Sequence, residues 1–168
     1  MSNEFFDIVD ENDNVVGKTS REECHEKGLI HRSVMFFVFD DEERVLVTKR
    51  TKNKDFFPGY WSIVLGGHVQ AEESYEEAVL RETIEETGLN PKPFFITSFK
   101  KRIPEEKENV KVYGIVAREE DMEDIILNKE ELEEGEFLDL VDLEKKINTD
   151  NFLPETEILY DILKKYLS

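Results

Sequence analysis

The sequence predicts an α/β fold, and three stretches carry that reading. Ser33 to Phe39 (Ser-Val-Met-Phe-Phe-Val-Phe) is dense in β-branched and aromatic residues, the composition of a buried strand. Ser74 to Gly88 opens on a Ser-x-x-Glu capping box and closes on a glycine with Pro91 just beyond, the two ends expected of a helix. Pro154 to Leu167 places Ile158, Leu159, Ile162, Leu163 and Tyr166 on a helical stripe. A chain of 168 residues is expected to form one domain over residues 1–168, large enough to bury a core.

The remaining elements follow in order. Phe5 to Val9 is short and apolar, Glu11 to Asn14 reads as a turn, and Val15-Val16-Gly17 returns, so an N-terminal hairpin is expected. Ser20 caps a short helix, with Glu23 in the capping-box place and an end near Gly28. After the strand at Ser33 to Phe39, Asp40 to Glu43 turns the chain and Arg44 to Arg50 is its expected antiparallel partner. Lys49 to Asp55 is a basic, polar loop. Ser62 to Leu65 is a short strand running into Gly66-Gly67. Phe94 to Lys101 and Asn109 to Ala117 read as a strand pair, Asp121 to Glu134 as acidic loop with a helical turn, Glu136 to Val141 as a strand, and Asp142 to Ile147 as a helix.

Composition narrows the classes of partner. The net charge of −18 excludes indiscriminate binding to a nucleic-acid polymer or an anionic membrane, since both require a basic face. A polyanionic substrate would need compensation from Lys, Arg or a metal. One cysteine, Cys24, forbids an internal disulfide and suits a reducing compartment. No apolar run approaches membrane-span length, and the opening residues lack the basic and apolar regions of a signal peptide. A cytoplasmic location is therefore expected.

Chemistry concentrates in Gly67 to Leu89. Between Glu72 and Glu86 stand seven glutamates and one arginine. Glu82, Glu85 and Glu86 lie at i, i+3 and i+4 on one helix face, where like charges destabilise by roughly 0.2–0.5 kcal/mol per pair. On a helical wheel Val79, Leu80, Thr83, Ile84 and Thr87 form the expected core face. The three glutamates and Ala78 form a separate stripe roughly 100° wide. Ala78 leaves space beside the carboxylates, and Gly66-Gly67 lets a backbone carbonyl approach them. Oxygen donors of this kind suit Mg²⁺ or Mn²⁺, which points to phosphate-ester or phosphoanhydride chemistry. The plain alternative is a solvated acidic helix, in which Arg81 is a surface partner of Glu77 or Glu85. The glycine pair, the strand before it and the capped start weigh against that alternative.

The residues match Gly-x5-Glu-x7-Arg-Glu-U-x-Glu-Glu-x-Gly-U, with U a bulky aliphatic, at Gly67, Glu73, Arg81, Glu82, Glu85, Glu86 and Gly88. The stretch resembles the Nudix box of the Nudix hydrolase superfamily. One aliphatic place is taken by Thr83, a departure that bears on core packing more than on chemistry. The resemblance implies a Nudix-type α/β/α sandwich with a mixed central β-sheet. It implies Glu82, Glu85 and Glu86 as metal-binding carboxylates with the Gly67 carbonyl, and Arg81 paired with Glu73. It implies attack of a metal-activated water on a diphosphate linkage in a nucleoside diphosphate linked to a further group, or a related small molecule. The cofactor would be Mg²⁺ or Mn²⁺ and the partner a small-molecule diphosphate; a homodimer stays open.

A second resemblance lies within that superfamily. His25 to Phe39, Pro58-Gly59-Tyr60-Trp61 and Gly67-His68 resemble type 1 isopentenyl-diphosphate isomerase, in which comparable histidines bind a metal. His31 and His68 match, so they join the expected metal ligands. His25 is displaced by a residue and reads as a surface or hydrogen-bonded core histidine. Two departures oppose isomerase chemistry: the cysteine that family needs before Gly-His is Gly66, and the Nudix box is complete. The chain is similar to an isomerase-like branch of Nudix hydrolases. The alternatives are the isomerase itself or a non-catalytic nucleotide-binding module.

For the phosphates, Arg50 is the expected clamp, whereas Lys52 and Lys54 read as ordinary loop charges. Lys100, Lys101, Arg102 and Lys111 form a second basic cluster. Phe56, Phe57 and Tyr60 are placed to stack on a base, while Trp61 reads as packing. The general base belongs among Glu82, Glu105, Glu106, Glu108, Glu130, Glu131, Glu133 and Glu134, and spacing does not choose.

Overall fold

The computed structural model describes residues 3–168. Phe5–Val9 (β1) and Val15–Ser20 (β2) pair as the expected hairpin, a two-stranded sheet of their own. Arg21–Glu26 (α1) follows, with Ser20 Oγ accepting from the Glu23 N–H at 3.2 Å. The box is half made: the Glu23 carboxylate turns to Thr19 and Lys27 instead of the Ser20 backbone.

The main sheet holds Ile30–Phe39 (β3), Val45–Arg50 (β4), Trp61–Ser62 (β5), Leu65–His68 (β6), Phe94–Ile103 (β7), Glu106–Val116 (β8) and Leu132–Leu138 (β9). Its order is β5-β4-β3-β8-β7, with β6 also on β3 and β9 also on β4. β3 and β8 run parallel from Ile30↔Lys107 to Phe39↔Val116, and the other pairs are antiparallel. The sheet is mixed, as expected. β4, however, meets β3 only at Phe39↔Val45; its long partner is β9. Beyond that point β3 pairs with β6 instead, from Ser33↔His68 to Phe36↔Leu65. The strand expected at Ser62 to Leu65 is thus two short strands, and the glycine pair lies inside the second.

Alternation along β3 builds two cores. Val34, Phe36 and Val38 pack toward Tyr75–Thr87 (α2), with Ala78, Val79, Tyr113 and Ile115. Phe37 and Phe39 pack the other way, with Leu143, Leu159 and Leu163 of Leu140–Thr149 (α3) and Thr156–Leu167 (α4). One helix on one face and two on the other make the α/β/α sandwich. The acidic stretch before β9 holds a 3₁₀ turn at Glu119–Asp124. No helix among the described residues is long and apolar enough to cross a membrane.

α2 is fixed at both ends. The Glu77 N–H donates to Ser74 Oγ at 3.0 Å and the Ser74 N–H to Glu77 Oε2 at 2.8 Å. Gly88 closes the helix at φ 75°, its N–H on the Ile84 carbonyl. Ser74→Ala is expected to destabilise the protein by about 1 kcal/mol, read as a lower midpoint in urea with an unchanged slope.

The wheel of α2 needs a correction. Its buried side is Tyr75, Ala78, Val79, Glu82, Thr83, Glu86 and Thr87, whereas Ile84 is 44% exposed. Glu82 and Glu86 therefore sit within the packed face, and only Glu85 looks outward. Periodicity assigns carboxylates to solvent by default, but Glu86 lines a cavity under the sheet and Glu82 packs against Gly67. Thr83 is fully buried and its hydroxyl donates to the Val79 carbonyl at 2.7 Å, so the departure from an aliphatic leaves no unpaired polar group.

Candidate active site and metal centre

A cavity of about 210 Å³ opens where β3 and β4 part, lined among others by Met35, Arg50, Gly67, His68, Glu86 and Glu131. Glu82 and Glu86 are 8% and 9% exposed. Burial pushes both carboxyls up, Glu82 against the opposing pull of Arg81. Glu86 reaches about 7, helped by the charges of Glu131 and Glu82. Glu86 Oε2 is buried and has no hydrogen-bond partner. Such an orphan oxygen costs free energy unless something arrives to complete it.

Gly67 lies directly over Glu82: a Cβ there would stand 2.2 Å from Glu82 Oε1. Only glycine lets the carboxylate and the backbone come this close. Arg81 stabilises the arrangement. It donates from Nε and Nη2 to the two oxygens of Glu73 at 2.8 and 3.0 Å, from Nη1 to Glu82 Oε1 at 2.7 Å, and from Nη2 to the His68 carbonyl at 3.0 Å. Hydrogen bonds to Glu73 and Glu82 outweigh burial and raise its pKa further. Glu85 is 3.5 Å from Arg81 Nη1 and largely exposed. The expected Arg81–Glu73 pair is present as a two-pronged clamp between α2 and the loop before it, and the bond to the His68 carbonyl ties α2 to β6.

Among the described residues, Arg50 and Lys101 are the two Lys or Arg side chains lining the cavity. Arg50 donates to the Phe56 carbonyl at 3.3 and 3.1 Å and has no carboxylate partner among the described residues. Lys101 is held by Glu106. The second basic cluster does not assemble: Lys100 and Arg102 fasten the hairpin turn through Glu11 at 2.9 and 3.1 Å, and Lys111 lies over the Tyr75 ring. Lys54 is no ordinary loop charge, since it pairs with Glu131 at 3.0 Å. Phe56 and Phe57 are 75% and 42% exposed and do not line the cavity. Trp61 is buried under Lys146, which confirms packing.

The three histidines converge. One ligand atom from each of His25, His31 and His68 lies within 4.8 Å of the others. Strand register causes this: His31 stands opposite Glu108 on β8, and Ser33 two places along stands opposite His68 on β6. Glu108 Oε1 is 3.4 Å from His31 Nε2 and 3.1 Å from His68 Nε2. Cys24 of α1 sits 3.3 Å from His31 Nδ1, and the Phe6 ring stacks on His31. Burial pushes Glu108 up, but the two histidines bring it well below the carboxylate range. Burial pushes His31 down, yet Cys24, Glu108 and the Leu29 carbonyl take it up to about 10. His25 is lowered by burial and by the other two histidines.

His25 Nε2 and His31 Nε2 are buried without hydrogen-bond partners. His25, expected as a surface or hydrogen-bonded core histidine, is thus part of the cluster, brought in by α1. Glu108 is the functional candidate that sequence reading left undistinguished among acidic residues. Its signal was parallel register between strands 77 positions apart, which local pattern does not carry.

Oxygen donors on one buried helix face, a backbone carbonyl beside them and an Arg–Glu clamp define a site suited to a hard divalent cation. The NUDIX domain family profile matches residues 29–156, and the chain belongs to the Nudix family. An uncharacterized Nudix hydrolase of Streptomyces coelicolor is 45% identical over 100 residues, covering 58% of this chain and 55% of that protein. The matched region spans about half the length of such curated relatives. The fold is shared with the crystal structure of DR0079 from Deinococcus radiodurans, at TM-score 0.76 and 24% identity over 96% of this chain and 98% of that one. It is shared also with the Nudix domain of Shewanella oneidensis NrtR, a structure complexed with ADP ribose, at TM-score 0.58 and 16% identity over 89% and 100%.

Proposed function

We propose that the chain, as one domain over residues 1–168, is a divalent-metal-dependent hydrolase of diphosphate linkages. Its substrate would be a nucleoside diphosphate linked to a further group, or a related small molecule. The observation that carries this is Glu86: a carboxylate nine-tenths buried, lining the cavity beside Gly67, with an oxygen that has no partner. Glu82, Glu85, Glu86 and the Gly67 carbonyl are the residues that would hold Mg²⁺ or Mn²⁺. A cation bound there would acidify a water and offset charge developing on the phosphoryl oxygens.

The chain's own residues prepare the rest. Arg81, oriented by Glu73, holds the carboxylate helix against β6 through the His68 carbonyl. Arg50, anchored by the Phe56 carbonyl and without a carboxylate partner among the described residues, would receive a phosphate. His31 and His68, joined by His25 and Glu108, would hold a second ion. Three imidazoles and a carboxylate suit a transition metal better than Mg²⁺.

The isomerase alternative lacks its thiol. A Cβ on Gly66 would stand 2.1 Å from the Val34 carbonyl oxygen, so this backbone admits no side chain there. Cys24 is buried against His31, outside the cavity lining. A binding module without catalysis would have no use for a complete carboxylate set kept at an energetic cost.

The test is a hydrolysis panel: nucleoside di- and triphosphates, ADP-ribose and UDP-sugars, with Mg²⁺, Mn²⁺ or EDTA. Metal-dependent release of phosphate or a nucleoside monophosphate is expected from at least one member. Tight ligand retention with no release would favour the binding module, and isomer interconversion of isopentenyl diphosphate would favour the isomerase.

A further inference from the structure

Four elements meet at the histidine cluster. His25 comes from α1, His31 from β3, His68 from β6 and Glu108 from β8. His31 Nδ1 lies 3.0 Å from the Leu29 carbonyl. A carbonyl only accepts, so Nδ1 carries a proton and Nε2 is the nitrogen left for a ligand. That nitrogen and His25 Nε2 are the two buried ring nitrogens without hydrogen-bond partners among the described residues. A cation would complete both.

Ser33 divides the carboxylate of Glu108. Both residues are buried, at 4% exposure each. Glu108 Oε1 faces the Nε2 atoms of His31 and His68, whereas Oε2 accepts from Ser33 Oγ at 3.2 Å. Register fixes the serine: it stands opposite His68 on β6 and two places after His31 on β3, on the same face of that strand. With Oε2 engaged, Glu108 offers one oxygen to the histidines. Glu106, two places earlier on β8, is turned to Lys101. The set that remains is three imidazole nitrogens and one carboxylate oxygen. Four protein donors fill the coordination of Zn²⁺ and leave no place for water or substrate, the pattern of a structural site and not of a reactive one.

We propose that the histidine cluster is a closed, four-donor structural site for Zn²⁺, with Ser33 as the positioning residue that holds Glu108 to a single oxygen. This rests on the reading that the cluster holds a second ion, and it is independent of the hydrolysis assigned to the carboxylate helix. The role of that ion is mechanical: it joins α1 to β3, β6 and β8. His68 directly follows Gly67, so the same link steadies the backbone that faces Glu82. Mn²⁺ favours a larger set of oxygen donors and fits a divided carboxylate less well.

The experiment uses Co²⁺ as a coloured substitute for Zn²⁺, with Mg²⁺ in excess to fill the carboxylate helix. The starting protein is expected to show the strong visible bands of a four-coordinate Co²⁺ ion, unchanged by azide. Zn²⁺ should displace that ion and raise the urea midpoint. His31→Ala should lose the bands, which locates the ion. Ser33→Ala frees Oε2, so the bands should weaken and Zn²⁺ affinity should fall by about tenfold, with Mn²⁺ affinity within about threefold of the starting protein. Ser33→Thr, which keeps the hydroxyl, should restore the bands, and Glu106→Gln should leave them as they were. Bands shifted by azide would reveal an open position and overturn the closed site. Unchanged bands and Zn²⁺ affinity in Ser33→Ala, or weakened bands in Glu106→Gln, would overturn the four-donor assignment. No Co²⁺ uptake, or bands that survive His31→Ala, would instead sink the second-ion reading itself.

Discussion

Glu86→Gln is expected to lose turnover by on the order of 10²-fold or more while the metal-free protein becomes less sensitive to pH. Removing even a partner that orients a metal ligand typically costs 10–100-fold, and the proposed function makes Glu86 a ligand of the cation itself. The stability effect has a definite sign. Burial and the neighbouring carboxylates raise Glu86 from 4.5 to about 7 in the folded chain. The folded state therefore binds more proton than the unfolded state between those values, and its stability falls as pH rises through them. The contribution is whole below about pH 4.5 and is lost above about pH 7. A shift of this size corresponds to about 1–3 kcal/mol. In EDTA, urea midpoints from pH 4.5 to 7.5 should fall more steeply for the starting protein than for Glu86→Gln. Parallel pH curves, or wild-type turnover at saturating Mg²⁺, would remove Glu86 from the role given to it.

Gly66→Cys is expected to cost the fold about 3 kcal/mol or more and to create no isomerase. The new Cβ would meet the Val34 carbonyl oxygen at 2.1 Å and the Met35 Cα at 3.0 Å. Both are backbone atoms of β3, so no rotamer relieves the clash; β6 has to move. Overpacking of this kind typically costs about 1–3 kcal/mol and sometimes more. Met35↔Gly66 is a register pair, and Gly67 and His68 follow directly. A displaced β6 would therefore carry off the Gly67 carbonyl and the His68 ring together. The expected readout is a lower urea midpoint and lost hydrolysis. A variant with the starting midpoint would show that β6 has slack the structure does not reveal.

Much of the molecule was legible locally. The Ser74–Glu77 box, the Gly88 stop, the hairpin and the β7–β8 pair each arise from signals within a few residues, and each formed. The Arg81–Glu73 clamp followed from the motif and is present. What was missed required distant strands to meet. The main partner of β4 proved to be β9, which begins in the stretch read as acidic loop and continues into the one read as a strand. Ile84, assigned to the core by its hydrophobicity, faces outward, while Glu82 and Glu86 are buried. His25 was read as a surface or hydrogen-bonded core histidine because His31 and His68 come from other elements.

The sequence by itself determined the carboxylate helix: its capped start, its glycine stop, the order of its donors and the absence of a cysteine before Gly67-His68. Those are properties of neighbours along one chain. Tertiary structure alone decided that Glu82 and Glu86 are buried, with Glu82 against Gly67, that His31 meets Glu108, and that Glu86 lines the cavity with Arg50. Each of these depends on register and burial, which arise only when strands far apart in sequence are brought side by side and water is excluded between them.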